Sequence, residues 1–398
     1  MASFGVRFLG CKVSQTDAQE IREGLAGAGH KEADGAAEVA VVNTCCVTNE
    51  AVRKSRQAVR RTARSSRAVY VTGCAARLAH DAFAGLPANV QVVARPSEET
   101  PDAIVGSVGR LGCADARIGL GRVRAFVKVQ DGCGFGCSFC VIRKVRGASR
   151  SRPAGAVLAE LARRVADGHL EVVLTGINLG CYRDRSAGYD LPRLVEEAAA
   201  TEGLRRLRLS SIEVNHLSEP LVAAMRASPT VAKHLHVPLQ SGDDGILRAM
   251  RRRYDVATYL RRVERVDGFN LTTDAIVGFP GEDERAFGRT VDVVKQAGIT
   301  KVHVFPYSPR PDTATASDDP VPPAEKRARG ARLRTVSDAA SRRRWAAKLG
   351  HDDLVLVDRP GRGYGNDYTP WLVEASVGVF VRARATGVGK EGVRGVAA

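Results

Sequence analysis

The sequence predicts an α/β protein in which most strands are parallel. Strand-like and helical segments alternate near the amino terminus, and they alternate six more times between residue 125 and about residue 320. Such alternation is typical of a parallel sheet covered by helices. Beyond this region, short segments alternate in β fashion with glycine-rich turns between them. We therefore expect three domains, covering residues 1–115, 120–345 and 346–398.

The first domain is expected to be an open parallel α/β sheet in which a cysteine follows each of three strands. The predicted strands are Val6–Leu9, Glu38–Asn43 and Ala68–Thr72, the helices are Thr16–Ala26 and about Glu50–Ser65, and the cysteines are Cys11, Cys45 and Cys74. Carboxyl ends of parallel strands point to one edge of a sheet, so three thiols delivered there would converge. The alternative for each cysteine is a buried small apolar side chain.

The central domain is expected to be an open, partial (βα)6 barrel. Its predicted strands are 125–130, 171–175, 205–210, 234–239, 271–277 and 301–306, and a helix follows from Pro323 to Leu349. Six βα units fall short of the eight that close a barrel, which leaves a gap for a macromolecular substrate. Functional residues should lie at the strand carboxyl ends. We expect no role for Cys113 in the connecting stretch, residues 96–124.

Three further cysteines follow the first strand of the central domain in one short loop. Cys133, Cys137 and Cys140 have Cys-x-x-x-Cys-x-x-Cys spacing, and three glycines lie among them, which would let the loop fold around a bulky inorganic centre. Thiolates are the usual ligands of iron–sulfur clusters. A structural zinc site takes four protein ligands, and three cysteines stand here. The pattern favours an iron–sulfur cluster with one open iron, with zinc and unliganded thiols as the alternatives.

The composition favours an anionic partner and a reducing compartment. The 398 residues carry a formal net charge of +16, which suits nucleic acid, although a general bias toward arginine in the source proteome is the alternative. The nine cysteines point to metal binding or catalysis rather than disulfides. We expect no signal peptide, no membrane-spanning segment and a cytoplasmic location.

The cysteine loop and its surroundings resemble a known enzyme family. Cys-x-x-x-Cys-x-aromatic-Cys is similar to the signature of radical S-adenosylmethionine (SAM) enzymes, with Phe139 as the aromatic residue. The segments 127–133 and 146–153 resemble the methylthiotransferases of that superfamily, and Val47–Glu50 resembles the MtaB type, which modifies threonylcarbamoyladenosine in tRNA. The resemblance covers nearly the whole chain.

The resemblance implies SAM and two 4Fe–4S clusters as cofactors. It assigns Cys133, Cys137 and Cys140 to the cluster that binds SAM, and Cys11, Cys45 and Cys74 to an auxiliary cluster that supplies sulfur. Cys46 departs from the family pattern and is either a spectator, which we favour, or an alternative ligand. The SAM-binding residues are expected at the strand ends of the central domain and are Thr175, Gly176, Asn178, Ser211, Glu213, Gln240 and Gly278. No side chain is expected to act as a catalytic acid or base, because the cofactors carry the chemistry.

The same resemblance implies tRNA as the partner, with an electron donor such as flavodoxin or ferredoxin and a sulfur donor. The basic run after the cysteine loop is predicted to bind substrate phosphate or carboxylate through Arg143, Arg146, Arg150 and Arg152; a solvated charged surface is the alternative. The carboxyl-terminal segments resemble the small RNA-binding β-barrel called TRAM, and the last residues, 387–398, are expected to be a loose basic tail. Tyr364, Tyr368 and Trp371 would either stack on bases or fill that barrel's core.

Three alternative functions remain at this level. The substrate of the family could instead be isopentenyladenosine in tRNA or an aspartate of a ribosomal protein. The strongly basic chain argues against a protein substrate. Outside the family, the chain could be a metal-stabilised RNA-binding protein without catalytic activity.

Overall fold

The computed structural model describes residues 1–33, 35–78, 80–109 and 123–397. These residues form two compact units. The first contains the described residues up to Gly109 together with Asp131–Arg150 and Ser308–Ala316, and the second contains residues 123–130, 151–307 and 317–397. Cys113 and residues 110–122 of the predicted connecting stretch lie outside the described residues, and the division into three domains stays a prediction.

The first unit is built on a five-stranded parallel sheet in the order β2-β1-β3-β4-β5. Its strands are β1 (Ser3–Phe8), β2 (Lys31–Glu32), β3 (Val39–Thr44), β4 (Ala68–Gly73) and β5 (Val90–Val92). Its helices are α1 (Lys12–Gly27), α2 (Asn49–Ala63), α3 (Cys74–Leu78), α4 (Thr100–Val108) and α5 (Ile142–Arg146). The predicted open parallel domain is confirmed.

Helices cover both faces of this sheet because its strands are apolar on both sides. Val39 and Val41 of β3 pack into one buried cluster, whereas Ala40 and Val42 pack into another. Successive strand residues point to opposite faces, so a continuous apolar run requires cover on each. The α2 helix begins one residue earlier than predicted because the Thr48 hydroxyl caps it by accepting a hydrogen bond from Ala51 N at 3.0 Å.

The second unit contains six parallel strands in the predicted order. In sequence, the structure has β6 (Arg124–Asp131), β7 (Arg150–Ser151), β8 (Glu171–Gly176), β9 (Arg183–Asp184), β10 (Tyr189–Asp190), β11 (Arg206–Leu209), β12 (His234–His236), β13 (Asn270–Val277) and β14 (Lys301–Pro306). One sheet has the order β11-β8-β6-β7 and another β12-β13-β14. Parallel bridges from Leu207 to Val231 and from Ser211 to His236 connect β11 with the β12 region, as the predicted partial barrel requires.

Helices between these strands cover the outside of the partial barrel. They are α6 (Ala154–Ala166), α7 (Leu191–Ala199), α8 (Glu219–Ala227), α9 (Asp244–Ala249), α10 (Val256–Glu264), α11 (Glu284–Gln296) and α12 (Pro323–Ala346). The long α12 packs on β14 and α11, as predicted, and Gly330 allows close approach to Val304. Among the described residues, no helix has both the length and the apolar character needed to cross a bilayer.

A closed five-stranded barrel ends the second unit, in the order β15-β16-β17-β19-β18. Its strands are β15 (Asp352–Arg359), β16 (Arg362–Tyr364), β17 (Pro370–Leu372), β18 (Phe380–Val388) and β19 (Val393–Ala397). The prediction of a loose tail from residue 387 was wrong. β19 pairs with both β17 and β18, and Val393 is fully buried, because this last strand closes the barrel.

Candidate metal centres

Three cysteines converge at the carboxyl edge of the first unit's sheet. Cys11 follows β1, Cys45 directly follows β3, and Cys74 directly follows β4. These three strands are neighbours in the sheet. Burial, together with the negative charges of Cys74 and Cys11, raises the pKa of the Cys45 thiol to about 11. The three thiols therefore lie close enough to influence one another.

Two glycines allow the chain segments that carry these cysteines to come close together. Gly10 precedes Cys11 with φ +125°, and a Cβ on it would lie 2.9 Å from Ser14 Oγ and 3.3 Å from Cys45 Sγ. Gly73 precedes Cys74 with φ +92°, and a Cβ there would lie 2.1 Å from Asn43 Oδ1. Both positions combine a left-handed backbone with space that only a hydrogen fills. The strand ends are thus shaped around the cysteines that follow them.

The donor set at this edge suits an iron–sulfur cluster, because thiolates are the usual ligands of such clusters. Within the described residues, no group of three His, Cys, Asp or Glu side chains is arranged to hold one metal ion. None of the three cysteines is in a disulfide; Cys11 is exposed, and Cys45 and Cys74 are buried. Together with the two glycines that leave no room for a Cβ, this arrangement fits a cluster that is ligated from one side.

Cys46 also lies at this edge. It is fully buried in the apolar cluster that includes Val42 and Val59. Its thiol donates a hydrogen bond to Cys74, which raises the pKa of Cys46. The same hydrogen bond and the nearby guanidinium of Arg146 lower the pKa of Cys74, against the effect of burial. Cys46 therefore contacts a candidate ligand, and its predicted role as a spectator stays a prediction.

Arg146 corrects one of our predictions. We expected it to bind substrate, but its side chain is only 2% exposed and is surrounded by groups of the protein. Nη2 donates to Asp17 at 2.7 Å, Nη1 donates to both oxygens of Asp131 at 3.0 and 3.1 Å, and Nε donates to Cys74 Sγ at 3.3 Å. Although burial alone would lower it, Cys74, Asp17 and Asp131 raise the pKa of Arg146. Its charge is neutralised internally.

The other arginines of the basic run differ in their surroundings. Arg152 donates to Glu160 and to the backbone oxygen of Lys128, each at 2.6 Å, and its side chain is 33% exposed. Arg150 is half exposed and pairs with Glu98 at 3.2 Å. Arg143 is exposed on α5. Of the four arginines, Arg143 is the best candidate for the predicted substrate contact, because its side chain is exposed.

The second cysteine set lies in one loop between β6 and α5. Cys133 and Cys137 are partly buried and Cys140 is exposed. Phe135 N donates to Cys133 Sγ at 3.4 Å, and Cys140 N donates to Cys137 O at 3.1 Å. Thr315 Oγ1 donates to Ser138 O at 3.2 Å. These contacts hold three thiols on a short, partly exposed loop, which suits a cluster that must meet a small molecule.

Only one of the three loop glycines is required by the backbone. Gly132 has φ +70°, and a Cβ on it would lie 2.0 Å from Ala148 O. Around Gly134 and Gly136 a Cβ would meet no atom within 4 Å. Our expectation that all three serve the folding of the loop is therefore supported at Gly132 alone. At the other two positions a residue with a side chain would also fit.

The predicted SAM-binding residues lie at strand carboxyl ends in the second unit. Thr175 and Gly176 end β8, and Asn178 follows them. Ser211 follows β11 and bridges to His236, and Glu213 comes two residues later. Gln240 follows β12, and Gly278 follows β13. Asn178 N donates to Gln130 Oε1 at 2.8 Å. A Cβ on Gly176 would lie 2.9 Å from the same oxygen, so this glycine is required. The role of these residues in binding SAM stays a prediction.

Two of these residues show features that the sequence does not reveal. Gln240 has φ +65°, a conformation that costs energy for a residue with a side chain and that is frequent at functional sites. The Glu213 carboxylate accepts a hydrogen bond from Asn215 N at 2.9 Å and pairs with Arg252 at 3.5 Å. Any ligand of Glu213 would share the carboxylate with these groups.

The aromatic residues of the terminal barrel are engaged within the second unit. Trp371 is 1% exposed and fills the barrel core. Tyr364 and Tyr368 stack with ring centroids 4.7 Å apart, and the Arg124 guanidinium lies over both rings. Of the two alternatives for these side chains, packing is the one that the structure supports.

Sequence reasoning missed Asp17 and the carboxylate role of Asp131. Asp17 lies within α1, and nothing in the neighbouring sequence indicates that its carboxylate is buried. Only its contact with Arg146 in the folded chain identifies it. Asp131 directly precedes the cysteine loop, and its position beside Cys133 was the one available signal. Both became visible because folding brings α1, α5 and the last residue of β6 together within the first unit.

Two segments of the chain match known protein families. Residues 127–294 match the Radical SAM superfamily, and residues 3–94 match the uncharacterized protein family UPF0004. The solved structure of the radical SAM methyltransferase TsrM from Kitasatospora setae is similar to this chain with a TM-score of 0.58 at 14% identity, covering 79% of this chain and 75% of that one. At that identity the likeness shows the fold alone. The class is thus a radical SAM enzyme, which implies SAM and an iron–sulfur cluster.

Full-length relatives narrow the class. A threonylcarbamoyladenosine tRNA methylthiotransferase MtaB from Thermotoga maritima is 32% identical over 419 residues, covering 99% of this chain and 96% of that protein. The Bacillus subtilis MtaB is 33% identical over 383 residues, covering 90% and 85%. A tRNA-2-methylthio-N(6)-dimethylallyladenosine synthase from Sorangium cellulosum is 35% identical over 419 residues, covering 92% and 84%. The chain belongs to the MtaB-type radical SAM methylthiotransferase family.

Proposed function

We propose that this protein methylthiolates carbon 2 of N6-threonylcarbamoyladenosine at position 37 of tRNA. One observation carries the proposal: the first unit holds two separate sets of three cysteines, one at three strand ends and one in a single loop. An enzyme that both activates a carbon–hydrogen bond and delivers sulfur needs two such centres. Relatives of that activity match the chain over nearly its whole length.

The residues divide into three groups in this proposal. Cys133, Cys137 and Cys140 hold the cluster that binds SAM, and Cys11, Cys45 and Cys74 hold the auxiliary cluster. When bound, these groups supply reductive cleavage of SAM and the sulfur that is transferred. The strand-end residues position SAM, and they are Thr175, Gly176, Asn178, Ser211, Glu213, Gln240 and Gly278. The protein's part is to bind, orient and shield, as in other cofactor enzymes.

Three arguments favour tRNA carrying the threonylcarbamoyl group. Relatives named for this nucleoside cover 99% of the chain at 32% identity. The net charge of +16 suits a polyanion and disfavours a ribosomal protein as substrate. Exposed Arg143, next to the loop that carries Cys140, offers a guanidinium for the threonyl carboxylate. Dimethylallyladenosine in tRNA is the second candidate, because relatives of that name are 31–35% identical.

The proposal also requires partners that deliver electrons and sulfur. A low-potential donor such as flavodoxin or ferredoxin would reduce the loop cluster, and a sulfur donor would recharge the auxiliary cluster after each turnover. A reducing cytoplasm suits this proposal, because thiols stay reduced there.

Mass spectrometry of tRNA nucleosides tests the substrate. A strain lacking the gene should lose the 2-methylthio form of threonylcarbamoyladenosine and accumulate the unmethylthiolated nucleoside. Wild-type protein should restore it, and the Cys137→Ala variant, produced at equal level, should not. Loss of the 2-methylthio form of dimethylallyladenosine instead would assign the second candidate.

Metal analysis after anaerobic purification tests the class of protein. Two four-iron clusters predict about eight irons per chain and a brown protein. A colourless protein with zinc would support an RNA-binding protein without catalytic activity. Four irons would mean that one of the two cysteine sets holds no cluster, and the iron content of the Cys137→Ala variant would show which one.

A further inference from the structure

A single buried guanidinium connects two carboxylates with a candidate cluster ligand. We propose that Arg146 is a positioning residue of the auxiliary centre, whose hydrogen bond to Cys74 raises the reduction potential of the cluster held there. The inference rests on the proposed function, because it needs a cluster on Cys11, Cys45 and Cys74. It assigns Arg146 a role toward the thiol instead of the substrate.

The geometry leaves the guanidinium little freedom. Its Nε points at Cys74 Sγ at 3.3 Å, while Nη1 and Nη2 donate to Asp131 and Asp17 on other sides. Asp131 is itself fixed, since Ser97 Oγ donates to its Oδ2 at 2.6 Å and Gly132 N to its Oδ1 at 2.7 Å. A planar fork held at three nitrogens keeps one N–H directed at the sulfur.

Charge explains why this contact should matter for redox chemistry. Reduction adds negative charge to a cluster, and hydrogen bonds to the ligating sulfurs stabilise the reduced form. Arg146 is buried, so water does not screen its charge from Cys74. The negative charges of Asp17 and Asp131 partly offset the effect of that positive charge on the sulfur. The potential should therefore fall when the guanidinium is weakened and rise when a carboxylate is neutralised.

Opposite shifts separate this role from a purely structural one. Removing Arg146 entirely would leave two buried carboxylates without their guanidinium, and such losses often cost about 3–5 kcal/mol of stability. Arg146→Lys keeps the charge but cannot donate to both carboxylates and the sulfur at once. Asp17→Asn keeps the shape and removes one negative charge. A structural contact alone gives no reason for these two variants to move a potential in opposite directions.

The experiment uses the full chain with Cys133, Cys137 and Cys140 replaced by alanine, so that only the auxiliary cluster remains. After anaerobic reconstitution, iron and sulfide are counted, and the midpoint potential is measured by titration followed with electron paramagnetic resonance. Arg146→Lys should lower the potential, and Asp17→Asn should raise it, each by about tenfold in the reduction equilibrium, or about 59 mV. Arg22→Lys is the matched control, because Arg22 pairs with Glu32 at 2.8 Å and should leave the potential unchanged.

The outcomes distinguish the two proposals. Without iron in the triple-alanine protein, the auxiliary cluster is refuted, and this inference with it. With four irons but the same potential in all three variants, the auxiliary cluster stands and the role of Arg146 is refuted. If Arg146→Lys fails to hold the cluster, Asp17→Asn decides: a higher potential supports the inference, and an unchanged or lower one overturns it.

Discussion

The carboxyl and amino ends of the parallel strands carry different chemistry. At the carboxyl ends lie thiols, glycines without room for a Cβ, and the strained Gln240. At the amino ends of β6, β8 and β11 lies a closed set of charges, in which Glu171 is paired with Arg124, Arg206 and Arg208. In barrels of this kind, the carboxyl ends carry function and the amino ends carry stability.

The charges of the amino-end cluster pair with one another, and two of the arginines also donate to the terminal barrel. Arg206 donates to the backbone oxygens of Leu354 and Tyr364, and Arg208 donates to that of Gly365. Burial would raise the pKa of Glu171, but the three arginines lower it to about 2. These charges therefore connect the strands of the partial barrel with the terminal barrel inside the second unit. We expect the charged strand ends to contribute to stability and the thiol-bearing ends to carry the chemistry.

The largest expected effect is at the loop set. Cys137→Ala should abolish reductive cleavage of SAM, at least a hundredfold below wild type, because two ligands do not hold a catalytic cluster. The yield of 5′-deoxyadenosine from anaerobically reconstituted protein measures it. Normal yield in this variant would remove the loop from the mechanism.

Loss of a thiol from the Cys11, Cys45 and Cys74 set should affect a different step of the reaction from loss of a loop thiol. Cys45→Ala is expected to keep cleavage of SAM and to lose the 2-methylthio product, since its thiol lies at the end of β3 and outside the loop. The two products are measured in one reaction. If product forms at the wild-type rate, either Cys46 replaces Cys45 or the auxiliary centre is elsewhere; the double variant Cys45→Ala/Cys46→Ala distinguishes these outcomes.

At the amino ends, the effect should be on stability and should depend on pH. Glu171→Gln leaves three buried arginines without their anion and should cost about 3–5 kcal/mol near pH 7. Because the folded pKa is below the unfolded value of 4.5, the wild-type contribution is full above pH 4.5 and is lost as the pH falls toward 2. Denaturant unfolding should show a steeper decline in that window for wild type than for the variant.

Glu219→Gln is the matched control for Glu171→Gln. Its carboxylate pairs with Arg265 at 3.6 Å but is 82% exposed, so its loss should cost no more than about 1 kcal/mol. Equal loss of stability in both variants would show that the amino-end cluster has no special role.

Glycines at the carboxyl ends offer a smaller and more local test. Gly132→Ala places a Cβ 2.0 Å from Ala148 O at positive φ, which should cost about 1–3 kcal/mol and reduce iron in the loop cluster. Gly134→Ala meets no atom within 4 Å and should bind iron like wild type. Iron content and thermal unfolding of the two proteins are compared. Equal behaviour would mean that the loop adapts freely around its cysteines.

How far the sequence predicts this molecule depends on the range of the interactions. Strand order and the Cys11, Cys45 and Cys74 positions follow from local periodicity and from the rule for parallel sheets. The strand β19 was missed because residues 387–398 were expected to form a loose basic tail, whereas pairing with the strands β17 and β18 makes this segment a strand. Arg146 was misassigned for the same reason: its partner Asp17 is 129 residues away in sequence. Charge alone does not distinguish an internal ion pair from a substrate contact.

The smallest expected effect concerns the substrate. Arg146 is buried and Arg152 is paired with Glu160, so Arg143, the exposed cation nearest in sequence to the loop cysteines, is the best candidate to bind the threonyl carboxylate. A hydrogen bond to a charged group contributes about 1.5–3 kcal/mol, so Arg143→Gln should lower turnover on tRNA with the threonylcarbamoyl group by roughly tenfold or more. Arg163→Gln, on α6, is a control that removes the same charge elsewhere. Binding and turnover are measured on matched tRNAs with and without the group. A loss of affinity that is equal on both tRNAs, with unchanged turnover once bound, would show that Arg143 contacts phosphate, and selectivity would then have to come from residues at the strand ends of the second unit.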